Sequence, residues 1–317
     1  MGEPPLGENR HAHRPRPLSR RPGRDRPFDR TLSGSPGGIE VMNEVILAKK
    51  AGFCPGVKRA VELALKAREE NEGPVYLYGE LAHNRSLIEH LSEKGLTTVD
   101  DWRNLAPSTI LIRSHGLAPS EKKQLLESGW KVIDATCPCV SRIHDHAKRL
   151  HEEGFPLAVI GEVDHPEVQG FLKGDYGEAR VFADPDGISG LPKLGVVVQS
   201  TFSPEKAGAI IGRLFLETRE LRAFQTLCGA TAERIKAALQ LASEVDMMVV
   251  VGGAKSSNTR QLTEACRGTV PVYQIESVED IQEDWLKGLK RIGVAAGAST
   301  PEWLIQQTIQ FIAKMTP

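Results

Sequence analysis

The sequence predicts an α/β fold of three similar parallel-sheet lobes in a pseudo-threefold arrangement, and three observations lead to it. First, one cysteine turn occurs three times: AGFCPGVKRAV around Cys54, DATCPCVSRIH around Cys137 and QTLCGATAERI around Cys228. Each follows an apolar approach (EVILAKK, KVIDAT, RAFQTL), then enters a helical pattern with an arginine five or six residues on, at Arg59, Arg142 and Arg234. Second, two more pieces recur in the same order. VYLYGELAHNR, AVIGEVDHPEV and VVVGGAKSSNTR set His83, His165 and Ser256 28 or 29 residues after their cysteines. LIRSHGLAPSE, VVQSTFSPE and VAAGASTPE then set His115, Thr201 and Ser299 where an apolar run ends and a Pro-marked helix begins. Third, short, nearly all-apolar runs alternate with amphipathic helices, the pattern of parallel sheets covered on both faces. Repetition at this period is an architectural signal.

Residues 1–42 stand apart from this pattern. They are rich in Pro, Gly and Arg and poor in large apolar residues, so they cannot bury enough surface to offset chain entropy. Glu3, Glu8, Asp25, Asp29 and Glu40 argue against a transit peptide. We expect Met42 to be the translated start, because the Gly37-Gly38 codons can read GGAGG, a ribosome-binding sequence, just before it.

From there, EVILAKK is a strand and VKRAVELALKAREEN a helix with apolar residues three and four apart. PVYLYGE leads to a helix from Asn84 through Lys94, STILIRS to the helix SEKKQLLES, and KVIDAT to Cys137. The second unit holds a helix after Cys137, strands PLAVIGE, ARVFAD and GVVVQS, and a helix from Pro204. The third runs TAERIKAALQLASE, MMVVVGG, a helix through Cys266, VPVYQIE, RIGVAAGA and the closing helix PEWLIQQTIQFIAK. The lobes are assigned to residues 43–136, 137–226 and 227–317. Ligands of open parallel sheets bind beyond the carboxyl ends of the strands, and the nine repeated positions all fall there.

Composition narrows the function classes. With 40 basic against 41 acidic residues and 5% aromatics, nothing points to nucleic acid. No apolar stretch approaches the ~20 residues of a bilayer span. Five scattered cysteines fit a reducing cytoplasm.

Three isolated cysteines at helix starts, where free N–H groups favour thiolate, do not have the paired spacing of a structural zinc site. They suit one [4Fe–4S] cluster per chain with three Cys ligands and one open iron, a position for substrate. His83, His115, His165, Thr201, Ser256 and Ser299, with Ser257 and Asn258 following Ser256, read as a hydrogen-bonding ring for an anion at helix starts. Glu167 is the carboxylate expected at its mouth, a proton donor. Cys139 and Cys266 are expected to be core thiols, and His144, His146 and His151 solvated helix residues.

GFCPGVKRA, HN after GEL, SHG, DATCP, GEVDHPEVQG, AKSSN and GAS together resemble the IspH/LytB family of 4-hydroxy-3-methylbut-2-enyl diphosphate reductases. The resemblance covers residues 43–315. It implies a cluster held by Cys54, Cys137 and Cys228, with the substrate's allylic hydroxyl at the open iron. It implies reductive dehydroxylation to isopentenyl and dimethylallyl diphosphates, the last step of the methylerythritol phosphate route, with electrons from a ferredoxin or flavodoxin. By motif, His83, His115, His165, Ser256, Ser257, Asn258 and Ser299 match the diphosphate binders, and Glu167 and Thr201 match the residues beside the substrate hydroxyl, with His165 assisting. The chain departs from the family pattern at ATAERI, at QST and at Cys139, and neither of the first two falls on a proposed ligand. An open-iron lyase of the quinolinate synthase type and a non-catalytic metal- or anion-binding module are the competing classes. The gene's nucleotide sequence tests the Met42 start: glycine codons that do not spell GGAGG remove its support.

Overall fold

The apolar runs become strands buried on both faces, as β-branched segments between helices require. A computed structural model describes residues 44–315 apart from 187, 189 and 190; the extension and the Met42 start lie outside the described residues. In chain order the first elements are β1 (Glu44–Leu47), α1 (Pro55–Glu70), β2 (Val75–Tyr78), α2 (Arg85–Glu93), β3 (Leu96–Val99), β4 (Thr109–Ile112), α3 (Pro119–Glu127) and β5 (Lys131–Asp134). There follow α4 (Pro138–Glu152), β6 (Leu157–Ile160), α5 (Pro166–Gln169), β7 (Arg180–Phe182), β8 (Leu191–Val198), α6 (Pro204–Glu217) and β9 (Thr218–Ala223). The chain closes with α7 (Gly229–Ala242), β10 (Met247–Val251), α8 (Ser257–Arg267), β11 (Val272–Ile275), β12 (Arg291–Ala296) and α9 (Glu302–Met315).

The strands form three four-stranded sheets of identical plan: β3-β2-β4-β5, β7-β6-β8-β9 and β11-β10-β12-β1. Every pairing in them is parallel. Each sheet carries helices on both faces, and strand alternation shows why. In β10, Met247, Val249 and Val251 pack toward α9, whereas Met248 and Val250 pack toward α7 and α8. Helices supply matching stripes, as Val57, Ala60, Ala64 and Ala67 do in α1 and Val140, Ile143, Ala147 and Leu150 do in α4.

The first strand is a correction to the sequence reading. β1 was assigned to the first lobe, yet Glu44–Leu47 pairs in register with Arg291–Val294 of β12. The consequence is cyclic. β1 belongs to the third sheet, but α1 packs on the first, with Leu77 and Leu111. β5 belongs to the first, but α4 packs on the second, with Leu157 and Val159. β9 belongs to the second, but α7 packs on the third. Each repeated cysteine therefore stands where the chain crosses from one sheet to the next. β3 escaped the sequence reading because its LTTV is half polar and follows its helix with no apolar run. The approach to Cys228 was expected over RAFQTL, and the strand lies earlier, over TRELRA.

His144 corrects a second expectation. It is half-buried, stacked on Phe171 with ring centroids 4.2 Å apart and 2.8 Å from the Tyr176 hydroxyl through Nδ1. Burial lowers its pKa to about 4. His146 also stacks, on Phe224, while His151 is exposed as expected. Cys266 is a core thiol, fully buried with Leu262 and Val250.

Close backbone approach holds sheets together near the strand ends. A Cβ on Gly253, just past β10, would stand 2.4 Å from the carbonyl oxygen of His83, just past β2. A side chain there must push backbone apart. Gly253→Ala should cost ~1–3 kcal/mol and lower the melting temperature by circular dichroism. Gly268→Ala, where the added methyl meets nothing within 4 Å, should leave it unchanged or raise it.

Candidate functional site

The nine repeated positions line one cavity, about 90 Å³ as the centre of a water-sized sphere explores it. Equivalent strands deliver equivalent residues. The edge strands β1, β5 and β9 lead to Cys54, Cys137 and Cys228. The inner strands β2, β6 and β10 lead to His83, His165 and Ser256, and β4, β8 and β12 to His115, Thr201 and Ser299.

Each cysteine is pinned by its own backbone. The amide of Cys54 donates to Ala298 O at 3.0 Å, that of Cys137 to Ser114 O at 2.9 Å and that of Cys228 to Ser200 O at 2.8 Å. The accepting residue directly precedes Ser299, His115 and Thr201 in turn, so thiols and polar ring are locked one residue apart. All three cysteines are N-caps, of α1, α4 and α7, and the Cys54 Sγ accepts from Val57 N at 3.4 Å. Burial nevertheless outweighs the helix N–H groups at two of them: it pushes the Cys137 thiol up to about 11 and raises that of Cys228. Thiols in such surroundings ionise when a metal supplies the charge. Arg234 adds a cation that sequence reasoning singled out without a role. It is buried, donates to Gly52 O at 2.7 Å, and its charge faces Cys54 and Cys228.

Cys139 is not a core thiol. It is half-buried, lines the cavity, and its Sγ stands 3.9 Å from that of Cys228.

In the ring, His83 stacks on His115 at 4.8 Å between centroids, and His165 meets both edge-on at 5.7 and 5.3 Å. Burial and the neighbouring rings hold His115 well below the ordinary histidine value, and burial lowers His165 to about 3. Both are neutral imidazoles. The His165 Nδ1 caps α5 by accepting from Glu167 N at 3.2 Å, so its proton sits on Nε2, which makes the free nitrogen a donor. The three rings offer nitrogens within 4.8 Å of one another, a set that zinc also accepts; a ring presenting N–H suits an oxyanion better. His115 Nδ1 is buried with no hydrogen-bond partner among the described residues, an atom that asks for a ligand.

The third sheet closes the ring. Ser299 Oγ donates to His83 O at 3.3 Å and Ser257 Oγ to Thr201 O at 3.2 Å. Asn258 is held at both ends of its amide, donating to Thr231 Oγ1 at 3.0 Å and accepting from Ala298 N at 2.9 Å. The helix-capping role falls to Ser256, which accepts from Thr259 N, and not to Ser257.

Glu167 is buried inside the cavity wall, not at its mouth, and is 1% exposed. Its two oxygens accept from Ser200 N and Ser200 Oγ, both at 2.6 Å. These bonds favour the carboxylate, but burial is larger and raises the pKa to about 7. The hydroxyl at Glu167 is thus that of Ser200, whereas Thr201 Oγ1 accepts from Gln199 at 3.1 Å. The QST departure does touch a proposed site residue. Its signal was the adjacent hydroxyls of Ser200 and Thr201, of which only the fold selects one.

Comparison with known proteins agrees with this architecture. Residues 45–313 match the family described as LytB protein. The chain belongs to the LytB family. The 4-hydroxy-3-methylbut-2-enyl diphosphate reductase of Geobacter sulfurreducens is 40% identical over 273 residues, 85% of this chain and 96% of that protein. The enzyme of the same name from Aquifex aeolicus is 38% identical over 273 residues, 84% and 94% of the two chains. A solved structure titled as (E)-4-hydroxy-3-methyl-but-2-enyl diphosphate reductase, the terminal enzyme of the non-mevalonate pathway, superposes with a TM-score of 0.65 at 36% identity. It covers 86% of this chain and all of that one. The Plasmodium falciparum E-1-hydroxy-2-methyl-but-2-enyl-4-diphosphate reductase gives a TM-score of 0.78 at 25% identity, covering 84% and 87%.

For this LytB protein the donor set at the thiol end is all sulfur, the ligand type of iron–sulfur clusters. The residues fit such a group. A Cβ on Gly56 would come within 2.7 Å of Cys137 Sγ and 3.8 Å of Cys54 Sγ, so glycine leaves the space that a cluster would take. Gly56→Ala should purify folded but with iron and acid-labile sulfide reduced more than twofold; normal loading would remove Gly56 from the account.

Proposed function

We propose that this LytB-family chain is a 4-hydroxy-3-methylbut-2-enyl diphosphate reductase. It replaces the allylic hydroxyl by hydrogen, forming isopentenyl and dimethylallyl diphosphates. The observation that carries the reading is the convergence of three thiols and a histidine–hydroxyl ring on one cavity, with a buried protonatable carboxyl in its wall. Family membership over 45–313 supports the same activity.

Cys54, Cys137 and Cys228 would hold a [4Fe–4S] cluster, which when bound supplies single electrons and a Lewis-acidic iron. A ferredoxin or flavodoxin is the donor class that delivers electrons one at a time. The overall change is ROH + 2 e⁻ + 2 H⁺ → RH + H₂O.

The protein's own groups bind, orient and protonate. His83, His115, His165, Ser256, Ser257, Asn258 and Ser299 receive the diphosphate through N–H, O–H and amide groups. A bound anion would also draw protons onto the neutral imidazoles, adding charge where it is needed. The ring's cross-sheet hydrogen bonds pre-set its geometry, so binding costs little reorganisation. Glu167, fixed by Ser200, holds its proton on a carboxyl oxygen and gives it to the departing hydroxyl, which leaves as water. Thr201, whose carbonyl is held by Ser257, and His165 complete the wall around that hydroxyl.

Reduced methyl viologen should be oxidised anaerobically by the holoenzyme on adding the substrate, with both five-carbon diphosphates appearing. Iron-loaded protein idle on this substrate would sink the reading. Glu167→Gln should lower kcat by ~10²-fold or more. Because the acid form is the active one, the rate of the wild type should fall as pH rises through about 7. Ser200→Ala removes a bond that favours the carboxylate, so it should move this alkaline limb to higher pH.

A further inference from the structure

After two of the three repeated cysteines, the residue two positions on faces the cysteine of the next unit. After Cys54 this residue is Gly56, and a Cβ there would lie 2.7 Å from Cys137 Sγ. After Cys137 it is Cys139, whose Sγ lies 3.9 Å from Cys228 Sγ. The same step of the same repeat points both the same way, so the fold itself aims the Cys139 side chain at Cys228. The arginines sharpen the point. Arg59 reaches Thr136 O and Asp134 O ahead of Cys137, and Arg234 reaches Gly52 O ahead of Cys54. Arg142 instead donates to Cys139 Sγ at 3.4 Å. Both thiols are half-buried on a shared cavity, which small oxidants can enter.

We propose that Cys139 and Cys228 form a reversible disulfide under hydrogen peroxide when Cys228 is not holding iron, sparing Cys228 from irreversible oxidation. One thiol attacks the peroxide O–O bond, becoming a sulfenic acid and releasing one water. The second sulfur then displaces the sulfenic hydroxyl, which leaves as water with that thiol's proton. Two thiols lose two electrons and peroxide gains them: 2 RSH + H₂O₂ → RSSR + 2 H₂O. Closing 3.9 Å to a bond of about 2 Å needs the Cβ atoms to approach to about 3.8 Å, and both residues sit at helix starts. A dithiol reverses the bond by exchange. The sparing role rests on the reading of Cys228 as an iron ligand; the cross-link does not.

The test uses the full chain, purified anaerobically with its iron and sulfide measured first, as wild type and as Cys139→Ala. Each is treated with peroxide, alkylated, digested and mapped by mass spectrometry. A parallel portion receives dithiothreitol, then iron and sulfide. The wild type should yield peptides joined through Cys139 and Cys228 that separate on reduction. Its iron uptake should then return to most of the untreated value. In Cys139→Ala, Cys228 should carry sulfinic or sulfonic acid, and iron uptake should recover several-fold less. Cys228 joined to Cys54 or Cys137 in the wild type, or over-oxidised there, would overturn the proposal; so would equal recovery in both proteins. If the variant does not fold, the wild-type peptide map decides alone. Iron content before peroxide reports separately on the cluster reading.

Discussion

Three backbone hydrogen bonds, from the amides of Cys54, Cys137 and Cys228 to the carbonyls of Ala298, Ser114 and Ser200, are the constraint on which the rest of this molecule depends. Each bond ties the crossing from one sheet to the next against the end of an inner strand. The three sheets share one plan, so three copies of one local contact bring three thiols to a common cavity. Neighbouring units share each thiol: an edge strand of one leads to it and the helix it caps packs on the next. Separating any sheet from its neighbour would therefore move both a cysteine and a polar ring residue. This coupling is why Gly56, with room for no side chain, stands beside a crossing, and Gly253 where the end of β10 meets the backbone of His83.

The polar ring follows from the same geometry. Residues at the ends of parallel strands face helix starts, where N–H groups are free. Burial there acts in opposite directions on different chemistries. It keeps His165 and His115 neutral, as donors that can gain charge when an anion arrives, and it keeps Glu167 protonated near neutrality. Two hydrogen bonds from Ser200 would keep an exposed carboxylate ionised; only 1% exposure lets desolvation win. A protonated carboxyl and a ring of neutral donors thus come from one physical cause, removal of water from strand ends.

Between sheets, contacts of a second kind hold the ring closed. Arg260 meets Glu162 through two bonds of 2.7 Å, joining the third sheet's helix α8 to the loop after β6. Ser299 and Ser257 reach the backbone of the first and second sheets. Few of these contacts are strong alone, since the Arg260 pair is half exposed and such pairs contribute ~1 kcal/mol or less. Their effect is positional.

The sequence by itself determined the threefold repeat, most of its strands and twelve of the residues around the cavity, because turn chemistry, apolar periodicity and repetition are local and survive in a one-dimensional string. Tertiary structure alone decided the rest. It put β1 in the third sheet, since a pairing with β12 across most of the chain leaves no local mark. It chose Ser200 over Thr201 for Glu167, because adjacent residues leaving a strand point to opposite sides. It buried Glu167 and half-buried His144, and burial is a property of everything packed around a residue. It set Cys139 beside Cys228, a contact between units that share no neighbouring sequence. Local order was written in the residues, whereas distance across the axis arose only when three copies closed on one another.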